Sequence, residues 1–208
     1  MVNADKADYW QKMYSKKLED IPWEIEKHPV ELDFILKNKF VTGSRILDIA
    51  CGSGNYSIYL AKLGFDVTAI DISEKAIKIA KEKAKVAEVK INFITGDFLE
   101  YSFEEKKFDF IFDYSIMHHI TPDDILHYTK KEISLLDKDG ILALVCYSDK
   151  DEHSQSKSSA TGKFGNIMYY RNKEEIETNY ANLKLLHYSE TTLGKRLHHK
   201  GHFWVWKK

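Results

Sequence analysis

The alternation of apolar and polar residues is clearest between Arg45 and Ser73, where the chain changes rhythm repeatedly. Ile46, Leu47, Ile49 and Ala50 form a short, almost continuous apolar run around Asp48, as expected of a strand buried on both faces of a parallel sheet. Cys51-Gly52-Ser53-Gly54 breaks it. From Asn55 to Leu63 apolar groups recur at helical spacing, stopping at Gly64, a natural residue just past a helix end. Phe65 to Ile70 is a second apolar run, closed by Asp71 and Ile72. Further strands are predicted over Ile91–Thr95, Phe108–Asp113, Ile141–Cys146, Leu183–Tyr188 and His202–Trp206. Helical patterns cover Leu32–Phe40, Ser73–Ala87 and a stretch starting at Thr121-Pro122-Asp123-Asp124 and running to Leu136. Thr121 is an N-cap type with Pro at the first helical position, and Asn172 caps a helix that Glu174 and Glu175 open. Strands alternating with helices predict an α/β, doubly wound sheet.

The glycine turn is where chemistry is expected. Glycines let the backbone turn sharply and approach a ligand, and such sheets bind ligands at the carboxyl ends of their strands. A dinucleotide fingerprint would need G-x-G-x-x-G, but the frame from Gly52 places Ser57 where the third glycine belongs. Asp48 and Asp71 are ill suited to a pyrophosphate. Asp71 suits a ribose diol, and Asp48 favours a cationic ligand. A mononucleotide-type cofactor pocket follows.

These residues resemble those of class I S-adenosylmethionine-dependent methyltransferases. Their first motif is similar to Leu47–Gly54 (LDIACGSG), and their second-strand acid to Asp71 in AIDIS. Gly96-Asp97-Phe98 after the third strand, Phe108-Asp109 opening the fourth, Met117-His118-His119-Ile120 behind it, and Leu135-Leu136 through Gly140 to Val145 fall at the family's intervals. The resemblance implies a Rossmann-like, seven-stranded, mostly parallel sheet with an antiparallel C-terminal strand. It implies S-adenosyl-L-methionine as cofactor and S-adenosyl-L-homocysteine as product. Asp71 would hold the ribose, Asp97 the adenine amino group with the Phe98 amide or ring beside it, and the Gly52 and Gly54 backbone the methionine end. Asp48 would favour the amino group, directly or through water. Ala50, Cys51, Ile72, Asp113 and Tyr114 are expected along the same pocket.

Residues 1–31 hold Tyr9, Trp10, Tyr14 and Trp23, with Pro22 and Pro29 interrupting any helix beyond Asp8–Leu18. The segment resembles the N-terminal lid of the thiopurine, tellurite and thiol or halide methyltransferases, which implies a single domain with a helical lid (1–31) on a core (32–208). Trp23 and Tyr14 become cofactor contacts, since aromatic faces attract a sulfonium. Ser148–Arg171, ending in Phe164–Tyr170, is expected to be a mobile substrate loop. Tyr114, His28 and His153 are candidate bases, with His118 and His119 behind them; adjacent histidines diverge, so this pair is expected in loop packing.

Composition narrows the rest. With 208 residues and a net charge of −1, the chain has no global field to draw nucleic acid or an anionic membrane. Arg45, Arg171 and Arg196 are the only arginines, and Asp113-Tyr114-Ser115-Ile116 at the end of strand four holds no proline, both of which count against nucleic-acid substrates. Lys75, Lys78, Lys81 and Lys85 of Ser73–Ala87 read as a solvated face. No apolar run reaches the ~20 residues of a membrane span, so a cytoplasmic protein, monomer or homodimer, is expected. Cys51 and Cys146 are not spaced for zinc, His198-His199-Lys200 reads as solvated, and no metal is expected. The function implied is methyl transfer to a small molecule: a thiol, halide, tellurite or heterocycle. The rivals are an RNA or protein methyltransferase of the same fold, a non-catalytic S-adenosylmethionine-binding module, and a nicotinamide-dependent oxidoreductase.

Overall fold

The apolar runs pair into one sheet. The computed structural model describes residues 4–25, 27–155, 157–162, 165–194 and 198–208; Phe164 and Arg196 lie outside them. The first half comprises α1 (Ala4–Met13), α2 (Val30–Lys37), β1 (Arg45–Ile49), α3 (Asn55–Lys62), β2 (Asp66–Asp71), α4 (Glu74–Val86) and β3 (Asn92–Thr95). The second half comprises β4 (Phe108–Tyr114), α5 (Ile125–Leu135), β5 (Leu136–Tyr147), β6 (Ser159–Thr161), β7 (Ile167–Tyr169), α6 (Lys173–Asn179), β8 (Lys184–Leu193) and β9 (His199–Lys207). The seven-stranded sheet has the order β3-β2-β1-β4-β5-β9-β8, with β1 to β5 parallel and β9 antiparallel to both neighbours. The order reverses between β1 and β4, where adjacent connections leave to opposite faces and open a crevice.

Strand alternation divides the core into two layers. Ile111, Leu142, Leu144, Trp204 and Trp206 pack with Tyr128 of α5 and Ile176 of α6. On the other face Phe110, Phe112, Ala143, Val145 and Val205 meet Leu32 and Ile35 of α2 and Leu60 of α3. Helix α4 is capped as its sequence predicts, with Ser73 Oγ accepting from Ala76 N at 3.2 Å; Asn172 does the same for Glu174 N at 2.9 Å.

Four expectations need correction. Helix α1 ends at Met13 rather than Leu18, because Ser15 turns its hydroxyl back onto the Gln11 carbonyl and a separate 3-10 turn forms at Leu18–Asp20. Regular α-helix begins at Ile125, although Thr121 Oγ1 does accept from Asp124 N at 3.2 Å, as an N-cap would. Strand β5 starts five residues before the expected Ile141, across a register shift opposite β4. The Ser148–Arg171 segment is largely organised: a 3-10 turn at Glu152–Ser154 leads into the β6–β7 hairpin, and a bridge between Ser148 and Arg171 closes its base.

Candidate cofactor and acceptor site

The glycine turn leaves β1 in a conformation side chains rarely adopt. Ala50, Gly52 and Gly54 have φ of 54°, 55° and 79°. Ala50 is the costly one, since the left-handed region disfavours a Cβ by roughly 1–2 kcal/mol. Asp71, at the tip of β2, organises the turn: its carboxylate accepts from Gly52 N at 2.9 Å and Ser73 N at 2.8 Å. Each oxygen keeps a lone pair for a further donor. Burial pushes Asp71 up to about 6 and Asp48 up to about 7, the latter despite a hydrogen bond from Ser57. The floor is thus acidic and poorly hydrated, and a cation would relieve it.

The N-terminal segment forms a roof over this floor. Tyr14 is buried with its hydroxyl directly above Gly52, where an added Cβ would lie 2.3 Å from it. Trp23 Nε1 donates to that hydroxyl at 3.0 Å. Glu24, only 8% exposed, accepts from Ser53, from Asn55 Nδ2 at 2.8 Å and from Lys83 Nζ at 2.9 Å. Lys83 also reaches Ser53 Oγ at 2.7 Å and Asn55 Oδ1 at 2.8 Å. Gln11 Oε1 accepts from Ser73 Oγ at 3.1 Å and Lys75 N at 3.0 Å, tying α1 to the start of α4.

Beyond Tyr14 the roof becomes aromatic. The Trp10 ring stands edge-on between Trp23 at 5.3 Å and His119 at 5.1 Å, and Tyr9 Oη donates to Asn166 Oδ1, in the β6–β7 connection, at 3.0 Å. His119 lies on a 3-10 turn at Met117–His119, directly after β4. Buried Arg171 holds that turn by donating from one guanidinium nitrogen to the Met117 carbonyl at 3.3 Å and to the Ile120 carbonyl. Burial keeps both imidazoles neutral, pushing His119 down to about 4 and His118 well below its ordinary value.

The structure brings Asp48, Ala50, Cys51, Gly52, Gly54, Asp71, Tyr14 and Trp23 to one neighbourhood through these contacts, with Ile72 half-buried beside Asp71. Asp97 follows β3, half-buried, its Oδ1 accepting from Leu99 N at 2.9 Å. Other expected residues are elsewhere. The Phe98 ring is 7% exposed, packed edge-on against Tyr128 at 5.1 Å, which leaves its main chain and not its ring for a ligand. Asp113 points to the α5 side, fully buried, accepting from Tyr128 Oη at 2.9 Å, and burial raises both it and neighbouring Glu132. Tyr114 packs on the opposite face against Tyr56 at 5.5 Å, and burial raises its phenol, which makes it a poor base. His28 stacks on Tyr59 at 3.8 Å and meets Asp33 at 2.8 Å. His153 pairs with buried Asp151 at 2.9 Å. His199 is 7% exposed, against the expectation of a solvated His198–Lys200; His198 and Lys200 are exposed. Lys83, Glu24, Gln11, Asp151 and Arg171 had no signal in the sequence beyond residue type.

Residues 46–140 match a family model described as a methyltransferase domain. Over that segment the chain resembles class I S-adenosylmethionine-dependent methyltransferases. The chain is 35% identical over 118 residues to a ubiquinone biosynthesis O-methyltransferase of Pelagibacter ubique, covering 56% of this chain and 48% of that one. It is 40% identical over 67 residues to a 23S rRNA (uracil(747)-C(5))-methyltransferase of Pyrococcus abyssi, covering 31% of this chain and 16% of that one. The chain thus spans less than half the length of these curated relatives. In fold it is similar to the Burkholderia thailandensis 1,6-didemethyltoxoflavin-N1-methyltransferase, at TM-score 0.76 and 16% identity, covering 100% of this chain and 91% of that one. The methyltransferase segment includes the glycine turn, Asp71, Asp97 and the His118-His119 turn, and leaves out the roof, the hairpin and β9.

The residues fit the cofactor of this class. Asp71 keeps acceptor capacity on both oxygens, and buried Asp48 beside it would be relieved by a cationic ligand.

Proposed function

We propose that the chain transfers the methyl group of S-adenosylmethionine to a small-molecule acceptor held under α1, beside Trp10 and the Met117–His119 turn. The observation that carries this reading is the roof: Trp10 between Trp23 and His119, with Tyr9 joined to the hairpin, lines that end with aromatic surface. Aromatic lining of this kind suits a small, flat or soft molecule. The names of the Pelagibacter and Burkholderia proteins, which describe methylation of small molecules, lend support. The likeness to the ribosomal RNA enzyme extends over only 31% of this chain and 16% of that one, so it weighs less here.

In this reading Asp71 accepts the ribose hydroxyls, Asp97 the adenine amino group, and the Gly52 and Gly54 main chain faces the methionine end. Asp48 and Asp71 offset the positive charge. The bound cofactor supplies an electrophilic methyl on its sulfonium, and the protein contributes alignment and exclusion of water. Thiols, halides, tellurite and electron-rich heterocycles are the acceptor classes to test, because soft nucleophiles need little beyond alignment. Among the described residues no helix is long and apolar enough to cross a membrane.

Calorimetric titration with S-adenosylmethionine and S-adenosylhomocysteine comes first, followed by mass-spectrometric detection of methylated products from panels of those acceptors and of RNA. Micromolar binding with turnover of a small molecule supports the reading. Methylation of RNA alone, or binding of both ligands with no acceptor turned over, would reject it.

A further inference from the structure

We propose that Asp151, His153 and His199 form a binding site for a divalent transition metal of the zinc type, at the base of the β6–β7 hairpin. The three come from two separate parts of the chain, Asp151 and His153 from the turn after β5 and His199 from the start of β9. Their ligand atoms all lie within 4.8 Å of one another. His153 Nδ1 is 2.9 Å from Asp151 Oδ1, and His199 Nδ1 is 3.3 Å from the same oxygen. Bonds of about 2.0–2.2 Å at tetrahedral angles separate neighbouring ligand atoms by roughly 3.3–3.6 Å, so the two Asp151–histidine spacings need only slight opening to admit an ion.

The alternative, a hydrogen-bonded trio without metal, loads that oxygen heavily. Asp151 Oδ1 also takes the His153 main-chain N–H at 2.7 Å, making three donors around an atom with two lone pairs, while Oδ2 takes Lys200 N. A metal relieves this crowding: the two imidazoles turn their lone pairs to the ion and the carboxylate becomes an anionic ligand. The donor set is also held in place. Asp151 is 1% exposed and fixed by two main-chain donors. The His199 ring lies on Tyr147 at 4.3 Å, and Tyr147 lies flat on His118 at 3.8 Å. Two imidazoles with one carboxylate select zinc, cobalt, nickel or iron(II) over magnesium or calcium, which prefer all-oxygen shells.

His153 is exposed, so the three protein ligands leave a position facing solvent. That position would take water or a sulfur or oxygen donor from a ligand. The site stands apart from the methyl-transfer reading, because it shares no residue with the cofactor floor.

The test is titration of the full chain with Co²⁺, read by its visible d–d absorption, followed by displacement with Zn²⁺. Wild type should take one equivalent in a tetrahedral-type spectrum that Zn²⁺ abolishes. His153→Ala, at an exposed position the fold does not need, should weaken Co²⁺ binding by at least about tenfold. His127→Ala, a histidine on α5 away from the trio, should change nothing. Asp151→Asn should behave as His153→Ala where it folds. No stoichiometric spectrum in wild type, or equal binding by wild type and His153→Ala, would overturn the proposal.

Discussion

Replacing Asp71 by Asn separates the cost of the acidic floor from its use. Raising the Asp71 carboxyl from its ordinary value near 3.8 to about 6 corresponds to about 3 kcal/mol of unfavourable free energy in the ligand-free protein at neutral pH. The sign follows from proton uptake. The folded state binds this proton more tightly than the unfolded chain, so the penalty is full above about pH 6 and fades as pH falls toward 4. Asp48, pushed up to about 7, acts in the same direction. Asn removes the charge, but its amide can accept from only one of Gly52 N and Ser73 N, which Asp71 serves together at 2.9 and 2.8 Å. The other N–H then faces a donor, at about 1–3 kcal/mol. The two changes nearly cancel, and the Tm of the unliganded variant at pH 7.5 should stay within a few degrees of wild type. Ligand binding has no such compensation. Two hydrogen bonds to a charged acceptor are worth about 1.5–3 kcal/mol each, so affinity for S-adenosylmethionine should fall roughly 10²- to 10⁴-fold. In wild type the affinity should also decline as pH drops through about 7 and 6, while the variant loses the Asp71 part of this dependence and keeps the part from Asp48. Calorimetry and thermal melts between pH 5 and 8 read both. Unchanged affinity in Asp71→Asn, or wild-type binding that tightens on acidification, would refute the reasoning.

Gly52→Ala places a Cβ 2.3 Å from the Tyr14 hydroxyl at φ 55°, so it should lose cofactor binding in calorimetry and lower Tm by about 2–8 °C. Lys83→Met leaves the nearly buried Glu24 carboxylate without its cation; we expect about 1–3 kcal/mol less stability in urea melts and faster hydrogen exchange in the segment around Trp23. Arg171→Met strips the Met117 and Ile120 carbonyls of their donor and should cost about 2–5 kcal/mol in the same melts, whereas a loss below about 0.5 kcal/mol would show that the turn holds itself.

The sheet was legible because its strands are short apolar runs broken by glycines and acids, and a two-face burial leaves no other periodicity. Alternation also held information that residue type obscures. In β4, Asp113 shares its face with Ile111 and Tyr114 shares its face with Phe110 and Phe112, so strand parity alone sends the two residues to opposite core layers. His199 is a similar case: once β9 is extended back three residues from His202, the histidine enters the paired strand opposite Leu193. The roof showed itself as a density of aromatics, but its anchors did not. Gln11 with Ser73, Glu24 with Lys83 and Tyr9 with Asn166 join polar residues 62, 59 and 157 positions apart. No local pattern pairs such residues, because each is an ordinary surface type until the fold brings its partner near.

The same distribution explains why the cofactor half is recognisable and the acceptor half is not. Residues 46–140 hold the glycine turn and the acids, whose geometry any ligand with a ribose would impose. Much of what lines the proposed acceptor end lies before or after them: Tyr9, Trp10 and Trp23 on one side, Asn166 and Arg171 on the other. Helix α1 and the turn behind it touch both halves, through Gln11 and Tyr14 on the cofactor floor and through Tyr9 and Trp10 on the hairpin and the His119 turn. A short element with contacts at both ends transmits order from one to the other, and the coupling is reciprocal in free energy. Substitutions at Tyr14 and Trp10 therefore do not belong to separate sites. Their effects should fail to add, and the shortfall measures how far cofactor and acceptor share a single roof.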